Sequence, residues 1–562
     1  MDSKTIRKKF LDFFESRGHA IVPSSSLIPE NDPSVLFTTA GMQQFKPYYS
    51  GVKKAKSDFG TSNTTSVQKS IRTSDIEEVG DDTHLSFFEM LGNFSFGGYF
   101  KKEAIELAHE FITKELELEI DYVSVYEGDS DIPGDTESEN IWNAIDSSLI
   151  VKKFGKEDNF WGPTGNEGPC GPTTEIYVNG VEIWNIVFNE YYCNANGSKS
   201  PLKQKGVDTG MGLERLLTML QKKENVFETD VFETLMKDIE EKVSSESKVG
   251  NNRIIRIIAD HIKTSIFLLS DGVLPSNSER GYILRRLLRR AVRYMESLGV
   301  LDSLSVFFDS VQAIYGDIYP ISDEMRSTII SEIKKEEDKF KKTLAQGLKQ
   351  FDKGERDPFV LFTTYGFPLE MTQELALEKG EKINEEDFFE KMRAHQERSR
   401  SSAAGKFKGG LAGHSEMEIK YHTATHMLHQ ALREVLGNHV VQKGSNITTE
   451  RLRFDFSHHE KMTDDEKKKV EELINEKIKE SLPVTCTSVV LDEAKDMGAL
   501  GVFEDKYEDK VDVYTIGDQD AVFSIEICGG PHVTSTSELG TFRIKKEESA
   551  SAGVRRIKAV LE

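Results

Sequence analysis

The sequence predicts an α+β protein of several domains, and three observations carry the prediction. Short apolar runs bounded by turn residues recur through the first 240 residues and read as strands. Long apolar stripes at helical spacing follow over residues 241–400. A further amphipathic helical pattern starts near residue 421 and opens a third, separate region. Strand-rich and helix-rich regions in succession fit an α+β class.

Composition narrows the class. At 37% hydrophobic and 30% charged residues, the chain falls among globular proteins. A net charge of −23 argues against general coating of nucleic acid, while leaving room for a local basic face. Cys170, Cys193, Cys486 and Cys528 are too few and too scattered for a disulfide framework, so a reducing cytoplasm is expected. No apolar run approaches the roughly 20 residues of a membrane span. At the N-terminus, Ile6, Phe10, Phe13 and Phe14 share one helix face, and Asp2, Asp12 and Glu15 interrupt any transit-peptide pattern.

Taken in order, Asp32 and Pro33 suggest a turn into a strand at 35–39. Residues 66–72 form a strand-like segment ending on Arg72, and a polar loop leads to the aromatic arm 84–100, which carries His84 and Met90. Phe87, Phe88, Phe94 and Phe96 on that arm suit either a core or a base-stacking surface. Residues 104–112 read as a helix. The stretch 159–172, with Trp161, is so rich in glycine and proline that it predicts a constrained loop. Residues 182–188, with Asn185 and Val187, predict a buried strand. The run 207–217 then reads as a loop with Asp208, Gly210 and Gly212, followed by a helix start carrying Arg215. An acid for an ammonium, an arginine for a phosphate, and glycines that admit a ligand suit a site for ATP and an amino acid. A capped helix after a glycine turn is the plainer reading.

In the middle region, 253–269 predicts a helix and 271–280 a turn-rich connector. Residues 281–294 place Arg285, Arg286, Arg289, Arg290 and Arg293 opposite Ile283, Leu284, Leu287 and Leu288, a pattern that suits binding to a phosphate backbone. A solvated, ion-paired helix is the alternative. Ile330, Ile333, Phe340, Leu344, Leu348 and Phe351 predict a core stripe. Residues 401–414 read as a Ser-, Gly- and Ala-rich linker. Beyond it, His422 and His426 share one helix face at i and i+4, and Cys528 and His532 complete a His3Cys set with plausible zinc chemistry. Two satisfied histidines and a buried cysteine would be the ordinary alternative, and His429 lies one turn beyond as a structural neighbour.

Together the segments 87–100, 159–161 with 168–171, 182–188 and 207–217 resemble the catalytic domain of the alanyl-tRNA synthetases. The resemblance implies a class II antiparallel sheet with flanking helices. It implies that Arg72 contacts the α-phosphate and the substrate carboxylate, Arg215 contacts ATP, and Asp208 holds the alanine ammonium. Trp161, Asn185 and Val187 would wall the amino-acid pocket, with His84 and Met90 near the nucleotide and Mg²⁺ accompanying ATP. Residues 241–400 resemble the family's acceptor-stem recognition domain, in which Asn277 and Glu370 would read a G·U pair of tRNA(Ala). The last region resembles its zinc-binding editing domain, with Gln442 in a neighbouring segment. Expected boundaries are 1–240, 241–400, a linker at 401–420, and 421–562. The implied activity joins L-alanine to tRNA(Ala), with hydrolysis of Ser-tRNA and Gly-tRNA. A pocket for alanine gains only about 1 kcal/mol over glycine from one methyl group, and it excludes a serine hydroxyl poorly, which explains the second site.

Two departures from the family pattern stand out. Thr83-His84-Leu85 replaces the Arg-His-His run common before the paired phenylalanines, and the loop after Arg72 has no lysine. They support the alternative of a metal-dependent deacylase with an inactive synthetase-like half. The family's β-rich insert and C-terminal dimerisation region are not recognised in the sequence, so a reduced, monomeric, cytoplasmic enzyme is expected.

Overall fold

The computed structural model describes the chain apart from residues 31, 33, 34, 164, 166, 245–249, 405–414, 459, 491, 492, 495, 496, 501–509, 519, 520 and 552. The side chains of 378, 395–404 and 551 are also outside the described structure. The chain divides into two compact units, 1–356 with 360–375, and 357–359 with 376–562.

The first unit is organised on a nine-stranded sheet. Its strands are β1 (Ala20–Ile21), β2 (Asn63–Ile71), β3 (Phe87–Phe96), β4 (Tyr122–Tyr126), β5 (Val151–Phe154), β6 (Phe160–Trp161), β7 (Gly168–Val178), β8 (Val181–Cys193) and β9 (Lys199–Gly212). The order is β1-β2-β3-β9-β8-β7-β4-β5, with β6 on β7. Pairing is antiparallel except at the two edges, where β1–β2 and β4–β5 run parallel.

Helix Ser3–Glu15 covers one face. Asp2 caps it by accepting from the Thr5 N–H, and Ile6, Phe10, Phe13 and Phe14 are buried, as their spacing predicts. Phe10 and Phe14 meet Trp184 of β8 at centroid distances of 5.9 and 6.4 Å. Arg7 of the same helix is buried in an ion pair with Glu89 of β3, which also accepts from the Tyr319 hydroxyl at 2.8 Å.

Several segments differ from expectation. Residues 35–39 form no strand, although the Thr38 backbone bridges Leu27 and Ile71. Much of 159–172 is strand rather than loop: Phe160 pairs with Pro172 and Trp161 with Gly171. The reason lies at Gly171, where a Cβ would stand 1.8 Å from the Phe188 carbonyl oxygen, so only glycine lets β7 approach β8 this closely. Cys170 and Cys193 are joined in a disulfide, contrary to the expectation from cysteine count, because the β7–β8 register brings their Cα atoms to 6.1 Å. Residues 207–212 belong to β9, held between β8 and β3.

The middle helices pack onto this sheet. In helix Asn252–Ser270, Phe267 stacks on Phe87 at 4.1 Å and Asp260 accepts from the Ser86 N–H at 2.9 Å. Residues 241–356 and 360–375 fall within the first compact unit. Helix Asp323–Asp352 buries Ile329, Ile333, Phe340, Leu344 and Phe351, so Ile329 takes the place expected for Ile330.

The second unit holds a four-stranded sheet of β10 (Gln442–Ile447), β11 (Leu452–Ser457), β16 (Val554–Leu561) and β15 (Phe542–Ser551), in that order. A second sheet comprises β12 (Val484–Val490), β13 (Lys510–Asp518) and β14 (Ala521–Ile527). Helices Glu416–Leu436 and Asp464–Lys479 start in capping boxes, Ser415 with Glu418 and Thr463 with Glu466. Met427, Leu428, Phe454, Val470, Ile474 and Ile557 contribute to one core between helices and sheet. The stretch expected as linker is partly helical: helix Glu385–Ala404 takes its first residues and the Ser415 cap begins the next helix, while 405–414 lie outside the described residues. Among the described residues, no helix is long and apolar enough to cross a membrane.

Candidate functional site

A cavity of about 380 Å³ opens on the sheet of the first unit. Arg72, Asp208 and Arg215 all line it, and so do His84, Met90, Trp161, Asn185, Val187, Gly210 and Gly212. Arg72 directly follows β2; its N–H donates to the Ser86 carbonyl at 3.0 Å and its guanidinium lies 5.0 Å from the Phe88 ring centre. Among the described residues it has no carboxylate within ion-pair distance, and burial lowers its pKa. Arg215, in the first turn of helix Leu213–Gln221, pairs with Glu182 of β8 at 3.1 Å. His84 Nδ1 donates to Asp81 at 2.6 Å. At Gly210 a Cβ would come within 2.8 Å of the Met90 sulfur, which itself receives the Gly41 N–H at 3.3 Å. A Cβ at Gly212 would meet only Arg215 side-chain carbons at 3.9 Å, so no protein atom fills the space beside it.

Asp208 has no hydrogen-bond partner for its carboxylate among the described residues, and burial pushes it up to about 7. Glu175, across β7–β8 from Asn185, accepts the Asn185 amide at 3.1 Å and the Tyr177 hydroxyl at 2.8 Å. Burial, and then the charge of Glu182, raise the Glu175 carboxyl to about 7. Two arginines thus face several carboxyl groups across one small cavity. That arrangement can hold a zwitterionic amino acid beside a polyphosphate.

The arginine-rich helix, Glu279–Ser297, does not present the free cationic face that its sequence suggests. Arg285 and Arg289 share Glu336 at 3.0 and 2.7 Å, Arg290 and Arg293 share Glu374 at 2.5 Å each, and Arg286 pairs with Glu77. Arg285, Arg290 and Arg293 are buried. The acids come from segments distant in sequence, so the helix alone could not reveal them. Asn277 is exposed at the helix start and accepts from Arg285. Glu370 is half-buried and accepts from the Tyr282 hydroxyl at 3.2 Å.

In the second unit, one nitrogen each of His422, His426 and His532 and the Cys528 sulfur lie within 4.8 Å of one another. The other ring nitrogens are occupied: His422 Nδ1 donates to the Pro531 carbonyl at 3.1 Å, His426 Nδ1 donates to Glu526 at 2.5 Å, and His532 Nδ1 meets Thr423 Oγ1 at 3.1 Å. The Nε2 atoms of His426 and His532 are buried and orphaned. Three imidazoles oriented from behind, with a thiol among them, are a donor set that fits a tetrahedral metal ion. His429 stands outside the set and donates to the second oxygen of Glu526 at 2.9 Å. Gln442 opens β10 opposite Phe456, and no described hydrogen bond joins it to the cluster.

The sequence profile of the family "tRNA synthetases class II (A)" matches residues 5–452, and that of "Threonyl and Alanyl tRNA synthetase second additional domain" matches 511–558. The chain is 51% identical to the alanine–tRNA ligase of Treponema denticola, covering 99% of this chain and 98% of that protein. It is 47% identical to the alanine–tRNA ligase of Borreliella afzelii, with 99% of each covered. The chain belongs to the alanyl-tRNA synthetases. Against another alanine–tRNA ligase, from Petrotoga mobilis, identity is 37% over 99% of this chain but 79% of that one, so synthetases of this family differ in length.

Two residues of this synthetase escaped the sequence reading. Glu175 falls on β7, where residues 173, 175 and 177 all line the cavity, a period-two signal hidden inside a stretch flanked by glycine and proline. Glu526 lies two positions before Cys528, with Ser524 two before it, and this alternation marks the buried face of β14.

Proposed function

We propose that the cavity forms alanyl-adenylate from L-alanine and ATP–Mg²⁺, and that the second unit clears Ser-tRNA and Gly-tRNA. The observation that carries the reading is the unpartnered, buried carboxylate of Asp208 sharing one cavity with Arg72 and Arg215. Asp208 holds the alanine ammonium, and Val187 and Trp161 bound the methyl pocket. An alanine carboxylate oxygen attacks the α-phosphorus of ATP; the new P–O bond forms as the bond to pyrophosphate breaks. Arg72 stabilises the charge that develops on the α-phosphate, and Arg215, released from Glu182, meets the polyphosphate. No side chain acts as nucleophile, so the rate gain comes from positioning and charge. A ribose hydroxyl of the tRNA end then attacks the adenylate carbonyl, and AMP leaves.

Asn277 and Glu370 are proposed as the groups that read the acceptor stem, an amide and a carboxylate suited to base edges. Phosphate contact by Arg285, Arg286 or Arg289 requires RNA to displace Glu336 or Glu77. His422, His426, Cys528 and His532 would hold zinc, which supplies Lewis-acid polarisation and orientation when bound. Gln442 is proposed to approach the same editing pocket from β10.

ATP–pyrophosphate exchange, with each amino acid supplied separately, tests the reading. Exchange that depends on alanine, with weaker serine and glycine signals, is expected. Folded protein that exchanges with no amino acid would sink it and leave a deacylase.

A further inference from the structure

The segment 73–86 lends Asp75, Thr83, His84 and Leu85 to the cavity wall, yet it contains no lysine to grip a nucleotide or its own neighbours. Its two ends converge on one guanidinium. Near the start, Arg290 Nη1 donates to the Ile76 carbonyl at 2.5 Å. At the far end the link runs through two buried side chains. Ser86 donates its N–H to Asp260 Oδ1 at 2.9 Å and its hydroxyl to Oδ2. His261 Nδ1 lies 2.9 Å from the same carboxylate, and His261 Nε2 lies 3.1 Å from Arg290 Nη1. A guanidinium only donates, so Nε2 must accept and Nδ1 carries the proton toward Asp260. Ser86, Asp260 and His261 are fully buried and Arg290 is 3% exposed. The Ser86 carbonyl closes the circuit by accepting the Arg72 N–H at 3.0 Å.

Glu374 anchors Arg290 from outside the segment at 2.5 Å. Other arginines add to the grip: Arg253 donates to the Glu77 carbonyl at 3.2 Å, and Arg256 to the Asp81 carbonyl at 3.1 Å.

We propose that Arg290 is a positioning residue for adenylate formation, fixing both ends of segment 73–86 and, through His261, Asp260 and Ser86, the backbone of Arg72. It touches no substrate. Because a small displacement of a charged group at a phosphoryl centre is costly to the rate, the effect should appear more strongly in ATP use than in alanine binding, to which Arg72 contributes only its reach to the substrate carboxylate. The inference rests on the assignment of the cavity to ATP and alanine.

The test uses the full chain with Arg290→Gln and His261→Gln, in alanine-dependent ATP–pyrophosphate exchange with ATP and alanine varied separately. Arg290→Gln is expected to raise the KM for ATP and lower kcat by roughly tenfold each, to change the KM for alanine by less than the KM for ATP, and to regain activity with added guanidinium ion. His261→Gln, which alters only the far-end tie, should move the same constants in the same direction by less. Unchanged ATP constants in folded Arg290→Gln overturn the proposal. So does a uniform loss that tracks unfolding and is not rescued. If Arg290→Gln does not fold, unchanged ATP constants in His261→Gln overturn it. Wild-type protein that gives no exchange at all removes the cavity assignment itself, a result distinguishable from these.

Discussion

Asp208 and Val187 stand directly opposite one another across β8 and β9. Side chains of such a pair project from the same face of a sheet, and both line the cavity. An acid for the amine and an apolar contact for the side chain are therefore set at a spacing fixed by the backbone ladder, between two strands with neighbours on both sides.

The raised carboxyl of Asp208 makes amino-acid use depend on pH. With its pKa near about 7, it is protonated below that pH, and an arriving ammonium must displace the proton. The apparent KM for alanine should rise about tenfold for each pH unit below that point and level off above it. Asp208→Asn should raise this KM by roughly 10- to 100-fold and flatten the profile, with the KM for ATP little changed. Exchange kinetics across the range, varying each substrate in turn, check both outcomes.

Metal retention should depend on the cluster and on the acid behind it. Cys528→Ala or His422→Ala should lose the ion during purification, seen by elemental analysis. Glu526→Gln keeps all four donors but alters the support of His426, and should weaken metal affinity by about 10- to 100-fold in chelator competition. Alanine-dependent exchange should stay intact in all three, because these residues belong to the second unit.

The buried pair of Arg7 and Glu89 gives a stability prediction. Arg7→Met removes the buried Glu89 carboxylate's paired cation, leaving it the Tyr319 hydroxyl, and should cost about 3–5 kcal/mol in denaturant unfolding of the first unit. Arg7→Met combined with Glu89→Met should recover part of that loss, which a purely steric role for Arg7 would not permit.

Gly171→Ala should be among the most damaging of small substitutions. Its Cβ would overlap the Phe188 carbonyl, and neither backbone can retreat without breaking the β7–β8 ladder. A loss of about 3 kcal/mol or more, read as a lower unfolding midpoint, is expected.

What the sequence revealed and what it hid follow from the range of the interactions. Arg72, Asp208 and Arg215 lie in short segments whose chemistry is local, and the fold brings those segments to one cavity. The His422–His426 spacing is likewise a property of a single helix. By contrast, the glycines and prolines at 159–172 resembled a loop because their partner strand begins only at Val181, and Gly171 serves that contact rather than a turn. Glu175 and Glu526 look like ordinary strand acids until the opposing Asn185, or the two histidines, are in place. The arginine helix shows its charges but not Glu77, Glu336 and Glu374, which pair with them from three other segments.

That pairing changes how an RNA could be held. Polyelectrolyte binding normally draws much of its strength from counterions set free when cations meet phosphates. Guanidiniums already matched to internal carboxylates release few ions and instead exchange one anionic partner for another. A phosphate that captures Arg286 takes the nearer cation from Glu77, within the polar segment that follows Arg72, and leaves it Arg290 at 3.8 Å. Affinity along this helix should thus respond weakly to ionic strength, and a nucleic acid that engages Arg286 loosens a clamp on the wall of the nucleotide cavity.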